Sequence, residues 1–417
     1  MTDPQGFLRG LFDRAVEVAD PMRSLADHLP PRPAGRVVVV GAGKASARMA
    51  EAVEAAWGPC EGLIITRYGY GRPCKGIEIV EAAHPVPDQS GVAATTRMLA
   101  LLAGLGADDY VLGLISGGAS ALLTAPAGDI SLADKQALNA GLLASGAPID
   151  AMNTVRKHIS RVKGGQLAAA TYPAQMHTLM ISDVPGDDPA FIGSGPTVGD
   201  RTSAAQATAI LNQWGITAAP AVRAALAQPS GVIAPEDLRL SRATHQIYAA
   251  PAQSLAAAAR MAAGYDVRML GDALEGEARD VAADQADLAR ALQADMTPDA
   301  RPILLLSGGE LTVTRRGDGI GGPNAEYALA LAIALGGCAG IHAIACDTDG
   351  VDGAAEVAGA VISPDSLARA RSVQMDPVAY LNRNDAHRFF EGIGDQVITG
   401  PTLTNVNDFR AILITSK

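Results

Sequence analysis

The sequence predicts an α/β protein of two domains, first a Rossmann-like, doubly wound and mostly parallel sheet, then a smaller mixed-sheet α/β domain. Three observations support this prediction. The chain has 417 residues, which is too long for one ordinary hydrophobic core. Short apolar runs alternate with helix-length segments, as in parallel sheets with crossover helices. Polar and glycine-rich turns follow several of these runs, where open α/β sheets collect their ligands.

Composition and charge narrow the class of protein. With 48% hydrophobic residues and 45 glycines, the chain is typical of a soluble globular protein rather than a disordered one. A net charge of −11 argues against a nucleic-acid partner. The sequence shows neither a signal-peptide pattern nor an uncharged apolar stretch of about 20 residues. Its four cysteines have no metal-binding spacing. We therefore expect a reduced, cytoplasmic protein with no membrane partner.

The first domain is predicted over residues 1–240. Residues 5–28 carry apolar side chains at helical spacing, up to a group of prolines at 30, 31 and 33. Residues 203–240 are rich in alanine and proline and predict a helical connection to the second domain. Between them, four apolar runs predict strands: "RVVVV", "GLIIT", "YVLGLIS" and "HTLMIS".

The second domain is predicted over residues 241–417, again as alternating strands and helices. Its "SGGE" at 307–310 resembles "SGGA" at 116–119, and each follows an apolar strand, which suggests two loops facing a shared cleft. The last segment, "ITGPTLTNVNDFRAILIT", predicts a terminal hairpin. The other predicted strands are "HQIYAA", "DVRML", "PILLLSGGE", "IHAIACDTDG" and "AGAVIS".

A glycine turn after the first strand resembles a dinucleotide-binding fingerprint but departs from it. The third small residue of G-x-G-x-x-G is replaced by Ser46, and Lys44 follows the second glycine directly. The second strand ends in Thr66-Arg67, without the acidic residue that NAD requires, although Arg67 leaves NADP open. The chain has only six lysines against 27 arginines, so a lysine at a helix N-terminus favours a bound phosphate or carboxylate.

The segment "NTVRKHISRVKGGQL" at 153–167 carries a polar stripe on a predicted helix. At about 100° per residue, Asn153, Arg156, Ser160 and Lys163 fall within roughly a quarter of the circumference. This stripe borders the apolar one instead of lying opposite it. We expect it to line a cleft and hold an anionic ligand; the alternative is a solvated basic face.

Two glycine-serine loops and an acidic loop predict a phosphate site with a metal. "SGGAS" at 116–120 and "GSG" at 193–195 offer backbone N–H groups in a nest that suits phosphate oxygens. The segment "SDVPGDDP" places Asp183, Asp187 and Asp188 beside them, which suggests Mg²⁺ held by carboxylates and phosphates. Tight turns and Asx turns are the alternatives for these loops.

In the second half, polar residues follow a strand and open a helix. Asp349 lies in "CDTDGVDG" after an apolar strand, in a spacing that does not match an EF-hand. Asn324 and Glu326 follow a glycine loop, where they either point into a cleft or cap the helix. His84, in "HPVPD", is expected to be a turn residue rather than a base.

Taken together, these segments resemble the class II glycerate 2-kinase family, whose C-terminal half is the MOFRL domain. The resemblance runs in order over residues 5–415. The motifs that carry it are "GAGKAS", "HPVPD", "SGGASALL", "NTVRKHISRVKGGQLA", "SDVPGDDP" with "GSGPT", "SGGE", "DTDGVDG" and "TGPTLTNVND".

The resemblance implies transfer of the ATP γ-phosphoryl group to the 2-hydroxyl of D-glycerate, with Mg²⁺ or another divalent cation, in a cleft between the domains. It makes Lys44 a principal catalytic cation. Pro323 stands where some relatives have arginine, so Arg156, Lys163 or another cation has to supply that charge. Leu403 stands where relatives often have a smaller residue.

The predicted site is therefore as follows. The catalytic residues are Lys44, Arg156 and Asp187; those that bind D-glycerate are Asn153, Ser160, Lys163, Asn324 and Asp349; those that bind ATP are Ser116, Gly117, Gly118, Ser120, Gly193, Ser194 and Gly195; and those that bind the metal are Asp183 and Asp188. An NADP-dependent hydroxypyruvate reductase and a non-enzymatic sugar-phosphate sensor are the alternatives. The assembly state stays open, with a homodimer as one option.

Overall fold

The computed structural model describes residues 3–416, which form two compact units. The first unit contains residues 21–182 and 187–248; the second contains the residues up to Asp20, the short segment Asp183–Gly186 and the residues from Ala249 onward. The units thus interrupt each other along the chain, and the contiguous division predicted at residue 240 differs from this one. None of the helices in residues 3–416 is both long and apolar enough to cross a membrane.

The first unit is built on a six-stranded sheet with the order β3-β2-β1-β4-β5-β6. All pairs among β1 to β5 are parallel. This is the strand order of the doubly wound dinucleotide-binding fold, so the Rossmann-like prediction is confirmed. The strands are β1 (Val37–Ala42), β2 (Glu61–Arg67), β3 (Ile77–Ala82), β4 (Tyr110–Ile115), β5 (Gln175–Ile181) and β6 (Ala243–Ala249).

The four strands predicted for this unit are β1, β2, β4 and β5, and two others differ from the prediction. Two glutamates interrupt β3, and it therefore lacks the apolar run that marks the other strands. "HQIYAA" was predicted to open the second domain, but it forms β6 at the edge of the first sheet, next to β5. The sheet to which β6 belongs is decided by strand pairing, and the sequence of one strand does not show which strand it will pair with.

The second unit contains a mixed sheet, as predicted; it has six strands in the order β13-β12-β11-β14-β9-β7, and a separate two-stranded ladder of β8 and β10 accompanies it. Its strands are β7 (Asp266–Gly271), β8 (Gly276–Glu277), β9 (Ile303–Gly308), β10 (Leu311–Thr312), β11 (Ile341–Asp347), β12 (Gly359–Ile362), β13 (Gln396–Val397) and β14 (Asp408–Ile414). The terminal hairpin is wrong. Strand β13 pairs with β12, whereas β14 lies between β9 and β11, antiparallel to both. All seven residues of β14 are buried, which suits a central strand.

Within residues 3–416, sixteen α-helices accompany the two sheets. They are α1 (Pro4–Ala19), α2 (Pro21–Ser24), α3 (Ser46–Trp57), α4 (Gln89–Leu102), α5 (Ala119–Leu122), α6 (Leu132–Ala144), α7 (Ile149–His158), α8 (Gln166–Thr171), α9 (Ala204–Gln213), α10 (Pro220–Leu226), α11 (Pro251–Met261), α12 (Ala278–Ala294), α13 (Pro323–Leu335), α14 (Ser366–Ser372), α15 (Pro377–Asn382) and α16 (Ala386–Ile393). Helices α9 and α10 confirm the predicted helical character of residues 203–240, but this segment leads to β6 of the first sheet and not to the second domain.

The N-terminal helix belongs to the second unit because its apolar face is buried there. Leu8 and Phe12 are fully buried in a cluster that includes Leu304 and Phe409. The ring centroids of Phe12 and Phe409 lie 6.0 Å apart. Residues 5–28, predicted as helical, are divided: α1 ends at Ala19, a short helix follows from Pro21, and a 3₁₀ turn covers Leu25–His28.

Candidate active site

The turn after β1 and the loop after β4 pack against each other where the strand order reverses. Because β1 and β4 are neighbours, their carboxyl ends place the Gly41–Lys44 turn beside the 116–120 loop. The backbone N–H of Lys44 donates to the carbonyl oxygen of Gly117 over 2.8 Å. A Cβ atom on Gly43 would lie 2.0 Å from the Ser116 Oγ, so only glycine fits there. The two loops form one structure.

This packing occupies the amides that a dinucleotide would need. The N–H of Lys44 is bonded to Gly117, and the N–H of Ala45 donates to the Ser116 Oγ over 3.0 Å. In a dinucleotide-binding domain, the N–H groups at this helix N-terminus face the pyrophosphate. The Ser116 side chain is fully buried and serves this contact. The β1 turn therefore lacks the open amides of a nicotinamide-cofactor site.

The second glycine-serine loop lies against the first. Gly193, Ser194 and Gly195 all have positive φ angles, of 60°, 64° and 61°. The Oγ atoms of Ser194 and Ser120 are 2.8 Å apart, and the Ser194 hydroxyl lies 2.9 Å from Asn153 Oδ1, to which it donates. The structure thus brings together both predicted phosphate loops. Asn153 is linked to Ser120 indirectly, because Ser194 forms hydrogen bonds with both residues.

A cavity of about 180 Å³ lies beside these loops. The 116–120 loop contributes Gly118 and Ser120 to its wall, His84 contributes from the loop after β3, and helices α6 and α7 close the other side. The polar residues that the two helices contribute are Lys135, Asn139 and Arg156. No acidic side chain of residues 3–416 lines this cavity.

Lys135 is the most unusual residue of the wall. It is only 6% exposed, and within residues 3–416 its ammonium forms neither an ion pair nor a hydrogen bond. Burial, together with the nearby positive charge of Arg156, lowers the pKa of Lys135 to about 8. A buried ammonium without a partner is unfavourable in the free protein. A hydrogen-bond acceptor in the cavity would remove this cost.

Two further cations surround Lys135. The Nε and Nη2 atoms of Arg156 donate to Asn139 Oδ1 over 3.1 and 2.9 Å, which fixes the guanidinium. Lys163 is fully buried, and its Nζ donates to the carbonyl oxygens of Ser120 and Leu123. Burial and the positive charges of Lys135 and Arg156 lower the pKa of Lys163 well below its ordinary value. These three side chains give the cavity a positive potential that attracts anions.

The polar stripe predicted on one helix is only partly correct. Helix α7 ends at His158, and the left-handed conformations of Gly164 and Gly165 turn the chain before α8. The helical wheel is therefore wrong beyond residue 158. Ser160 does not line the cavity, and its Oγ accepts the N–H of Val162 over 3.2 Å. Lys163 reaches the site through the turn but stays behind the wall.

The three aspartates of the acidic loop lie in different surroundings. Asp183 groups with the second unit, where its Oδ2 accepts a 2.9 Å hydrogen bond from Asn405. Asp187 has a φ of 53°, and its Oδ1 is buried without a hydrogen bond from residues 3–416. Asp188 is exposed, and its Oδ1 accepts the N–H of Ala190, as in an Asx turn. No group of three His, Cys, Asp or Glu residues in the described chain is suited to hold a metal.

In the second unit, the predicted residues belong to a hydrogen-bonded network. The Asp352 carboxylate accepts the N–H groups of Asn324 and Ala325 and so caps α13. The Asn324 side chain donates to Asp408 over 2.7 Å, and Asp408 pairs with Arg410 over 2.9 Å. Burial raises the pKa of Asp408 to about 6, against the opposing effect of Arg410. The Nδ2 of Asn324 is thus held by protein groups, whereas its Oδ1 is buried without a hydrogen bond from residues 3–416.

The other two polar residues of the second unit also have protein partners. Glu326 forms a 2.6 Å ion pair with Arg279. Asp349 is fully buried, and its Oδ1 accepts the N–H of Val351 over 2.8 Å. The assignment of Asp349 and Asn324 to substrate binding stays a prediction.

Comparison with known proteins agrees with the resemblance. The sequence model of a domain of unknown function (DUF4147) matches residues 7–227, and that of the MOFRL family matches residues 303–408. A protein of Thermotoga maritima named D-glycerate 2-kinase is 35% identical over 99% of this chain and 100% of its own length. The crystal structure of glycerate kinase from Thermotoga maritima matches with a TM-score of 0.87 and 35% identity, covering 98% of this chain and 99% of that chain. The chain belongs to the glycerate 2-kinase family.

Another relative has a different name. A protein of Agrobacterium vitis named "Putative hydroxypyruvate reductase" is 52% identical over 98% of this chain and 94% of its own length. Within this glycerate 2-kinase family, two names therefore accompany one architecture. The site itself has to decide between them.

This member of the glycerate 2-kinase family has cavity residues that sequence reasoning missed. Lys135, Asn139 and His84 line the cavity, but no motif contains Lys135 or Asn139. The scarcity of lysine, which drew attention to Lys44, applies equally to Lys135 and is the signal that was available. Pro323 occupies the first turn of α13, where proline is favoured. Lys135 adds a third positively charged side chain to Arg156 and Lys163 near the 116–120 loop.

Proposed function

We propose that the protein is an ATP-dependent kinase that phosphorylates D-glycerate at its 2-hydroxyl and releases 2-phosphoglycerate and ADP. The observation that carries this proposal is the cavity lined by cations and free of acidic groups, directly beside two glycine-serine loops. Phosphoryl transfer requires positioning and neutralisation of negative charge, which such an arrangement supplies. The relatives named as glycerate kinases support the same activity.

Within this proposal, Lys44 and the 116–120 loop act on the phosphoryl groups. Lys44 follows β1 at the switch point of the sheet, and its Cγ lies 3.2 Å from the position of a Cβ atom on Gly118. The backbone N–H groups of Gly117 and Gly118 donate no hydrogen bond within residues 3–416. These amides bind phosphate oxygens, and the ammonium of Lys44 neutralises the charge that develops on the transferred group.

A divalent cation such as Mg²⁺ fits the acidic loop. The buried Asp187 Oδ1 has no hydrogen-bond donor among residues 3–416, and a carboxylate oxygen is the ligand that Mg²⁺ prefers. Asp187 and Asp188 would hold the ion together with phosphate oxygens of ATP, which explains why a three-residue protein cluster is not required. When bound, the ion supplies charge neutralisation on the phosphates.

The second candidate is an NADP-dependent hydroxypyruvate reductase, which the name of the Agrobacterium vitis relative favours. The amides of Lys44 and Ala45 weigh against it, because both are bonded to the neighbouring loop rather than open to a pyrophosphate.

One set of assays separates the candidates. Purified protein is incubated with D-glycerate and Mg-ATP, and separately with hydroxypyruvate and NADPH. We expect ADP release in the first assay and no NADPH oxidation in the second. Product that enolase consumes directly, without a phosphoglycerate mutase, identifies 2-phosphoglycerate. NADPH oxidation without ADP release contradicts the kinase, and binding without turnover in both assays indicates a sensing module.

A further inference from the structure

We infer that Lys135 is the residue that recognises the carboxylate of the substrate, and that the cavity which it lines selects hydroxy acids of three or four carbons. This inference rests on the proposed function for the identity of the phosphorylated substrate. It goes beyond that function by assigning the acid group to one side chain on α6. That side chain lies outside every motif of the family resemblance.

The first argument is that Lys135 is held in place by its helix rather than by a protein partner. Helix α6 begins with a capping box in which Ser131 and Asp134 bond to each other's backbone N–H groups. The Gln136 side chain donates to the carbonyl oxygen of Pro87 over 2.7 Å and ties the helix to the loop that carries His84. A rigid helix therefore directs a buried ammonium at the cavity with all three of its donors unused.

The second argument comes from comparing the three cations. The Lys163 ammonium donates its hydrogen bonds to the carbonyl oxygens of Ser120 and Leu123. Arg156 gives both its Nε and its Nη2 to Asn139. Lys135 alone donates nothing within residues 3–416, while burial and Arg156 disfavour its charge. An anion in the cavity would remove this penalty, and a carboxylate accepts strong hydrogen bonds from an ammonium.

The third argument is the size of the cavity. A volume of about 180 Å³ lies below the range of roughly 300–1,000 Å³ that is typical of pockets for drug-sized ligands. A three- or four-carbon hydroxy acid has about this size, whereas a six-carbon sugar acid and a nucleotide exceed it. Pro85 and Leu143 contribute apolar side chains to the wall of this cavity.

The test removes the charge and keeps the length of the side chain. Lys135→Met is compared with Lys75→Met, which removes an exposed lysine of the same unit. Binding of D-glycerate is measured by calorimetry without nucleotide, and the KM for D-glycerate is measured in the kinase assay. We expect Lys135→Met to weaken binding and to raise this KM by about 10- to 100-fold, with the KM for ATP unchanged, because a hydrogen-bonded charge is lost. Lys75→Met stays within twofold.

The melting temperature of the Lys135 variants tests whether Lys135 has a structural role. If Lys135 were needed for the fold, its replacement would lower the melting temperature, whereas loss of an unpaired buried charge should leave it unchanged or raise it. Lys135→Gln serves as a second variant should Lys135→Met fail to fold. Glycerol, which lacks the carboxylate, and gluconate, which has six carbons, should bind the wild-type protein at least tenfold more weakly than D-glycerate.

The outcomes distinguish this inference from the proposed function. If D-glycerate is phosphorylated but Lys135→Met keeps its KM within threefold, the inference is wrong and the kinase stands. If no phosphorylation occurs but D-glycerate and hydroxypyruvate bind in a manner that depends on Lys135, the kinase is wrong and the inference stands. If wild-type protein neither binds nor turns over either acid, or if gluconate binds as well as D-glycerate, the inference is overturned.

Discussion

The two units differ in the partners that they give to a cluster of buried charged side chains. In the second unit, two buried ions have partners of opposite charge: Arg410 pairs with Asp408, and Glu326 pairs with Arg279. In the first unit, Lys135 and Lys163 are buried and Arg156 is half-buried near them, and among residues 3–416 none of the three pairs with a carboxylate. The difference separates charges that hold a fold together from charges that await a ligand.

Helix α7 shows the same contrast between adjacent residues. Lys157 is buried and forms an ion pair with Asp200, whereas Arg156, one residue earlier, turns to the cavity and finds only the neutral Asn139. Both residues belong to one run of basic letters in the sequence. Their surroundings teach that a charge run has to be divided residue by residue, according to what each side chain meets.

The largest effect is expected on the free energy of unfolding when a buried ion pair of the second unit is broken. Arg410→Met leaves the buried Asp408 without its ion pair and the carbonyl oxygens of Gly308 and Gly309 without a donor. Removing one partner of a buried pair typically lowers the free energy of unfolding by about 3–5 kcal/mol. Arg156→Met is the matched variant, and we expect it to change that free energy by less than about 1 kcal/mol. Chemical denaturation of both variants measures the difference. Equal destabilisation would remove the distinction between the two units.

The next effect concerns the catalytic cation of the first unit. We expect Lys44→Ala to lower kcat by about 10²- to 10³-fold with little change in KM, because this contact strengthens in the transition state. The glycines that set the turn remain, so the melting temperature should stay the same. Lys44→Arg should restore only part of kcat, since a planar guanidinium does not replace a compact ammonium at this tight turn.

Lys44 would instead be structural if the alanine variant kept kcat within about threefold while its melting temperature fell by several degrees. Lys75→Ala, an exposed lysine in the same unit, controls for the loss of one positive charge.

A smaller effect follows from the titration of Lys135. Its pKa of about 8 in the free protein, lowered by burial and by Arg156, means that the ammonium is protonated below pH 8 and neutral above it. A carboxylate binds the protonated form, so affinity for D-glycerate should be constant below pH 8 and fall by up to about tenfold per pH unit above it. Calorimetry between pH 6.5 and about 9.5 measures this. Arg156, Lys163 and His84 face the same region, and therefore Lys135→Met has to abolish the dependence. A profile that persists in this variant would assign the titration to another group.

The smallest effect is expected at Ser160. Its hydroxyl accepts the N–H of Val162 and does not line the cavity, so Ser160→Ala should change the KM for D-glycerate by less than about twofold. Asn139→Ala is the contrasting variant, since it removes the acceptor that fixes Arg156. We expect that KM to rise about fivefold, as for loss of hydrogen bonds to a charged group. If Ser160→Ala raised the KM for D-glycerate more than Asn139→Ala, the substrate would bind at the polar stripe that the sequence predicted.

Part of the fold and of the site could be predicted because the signals are local. Four strands of the first sheet are continuous apolar runs, and Lys44 stands next to a glycine turn that only a strand-to-helix connection requires. The prediction of one continuous helix over 153–167 was wrong, because α7 ends at His158 and the chain then forms a loop. The positive φ angles of Gly164 and Gly165 belong to this loop. The wheel therefore placed Ser160 in a stripe that does not exist.

By itself, the sequence determined the α/β class, the glycine-serine loops and the family. These depend on period, on turn chemistry and on residue type, which adjacent letters carry. Only the tertiary structure decided that β6 joins the first sheet, that α1 joins the second unit, and that Lys135 is buried in an anion-attracting cavity. Strand pairing, burial and the pKa of a lysine depend on neighbours that are distant in sequence. Lys135 and Arg156 are brought together by packing of α6 against α7, and no single segment records that contact.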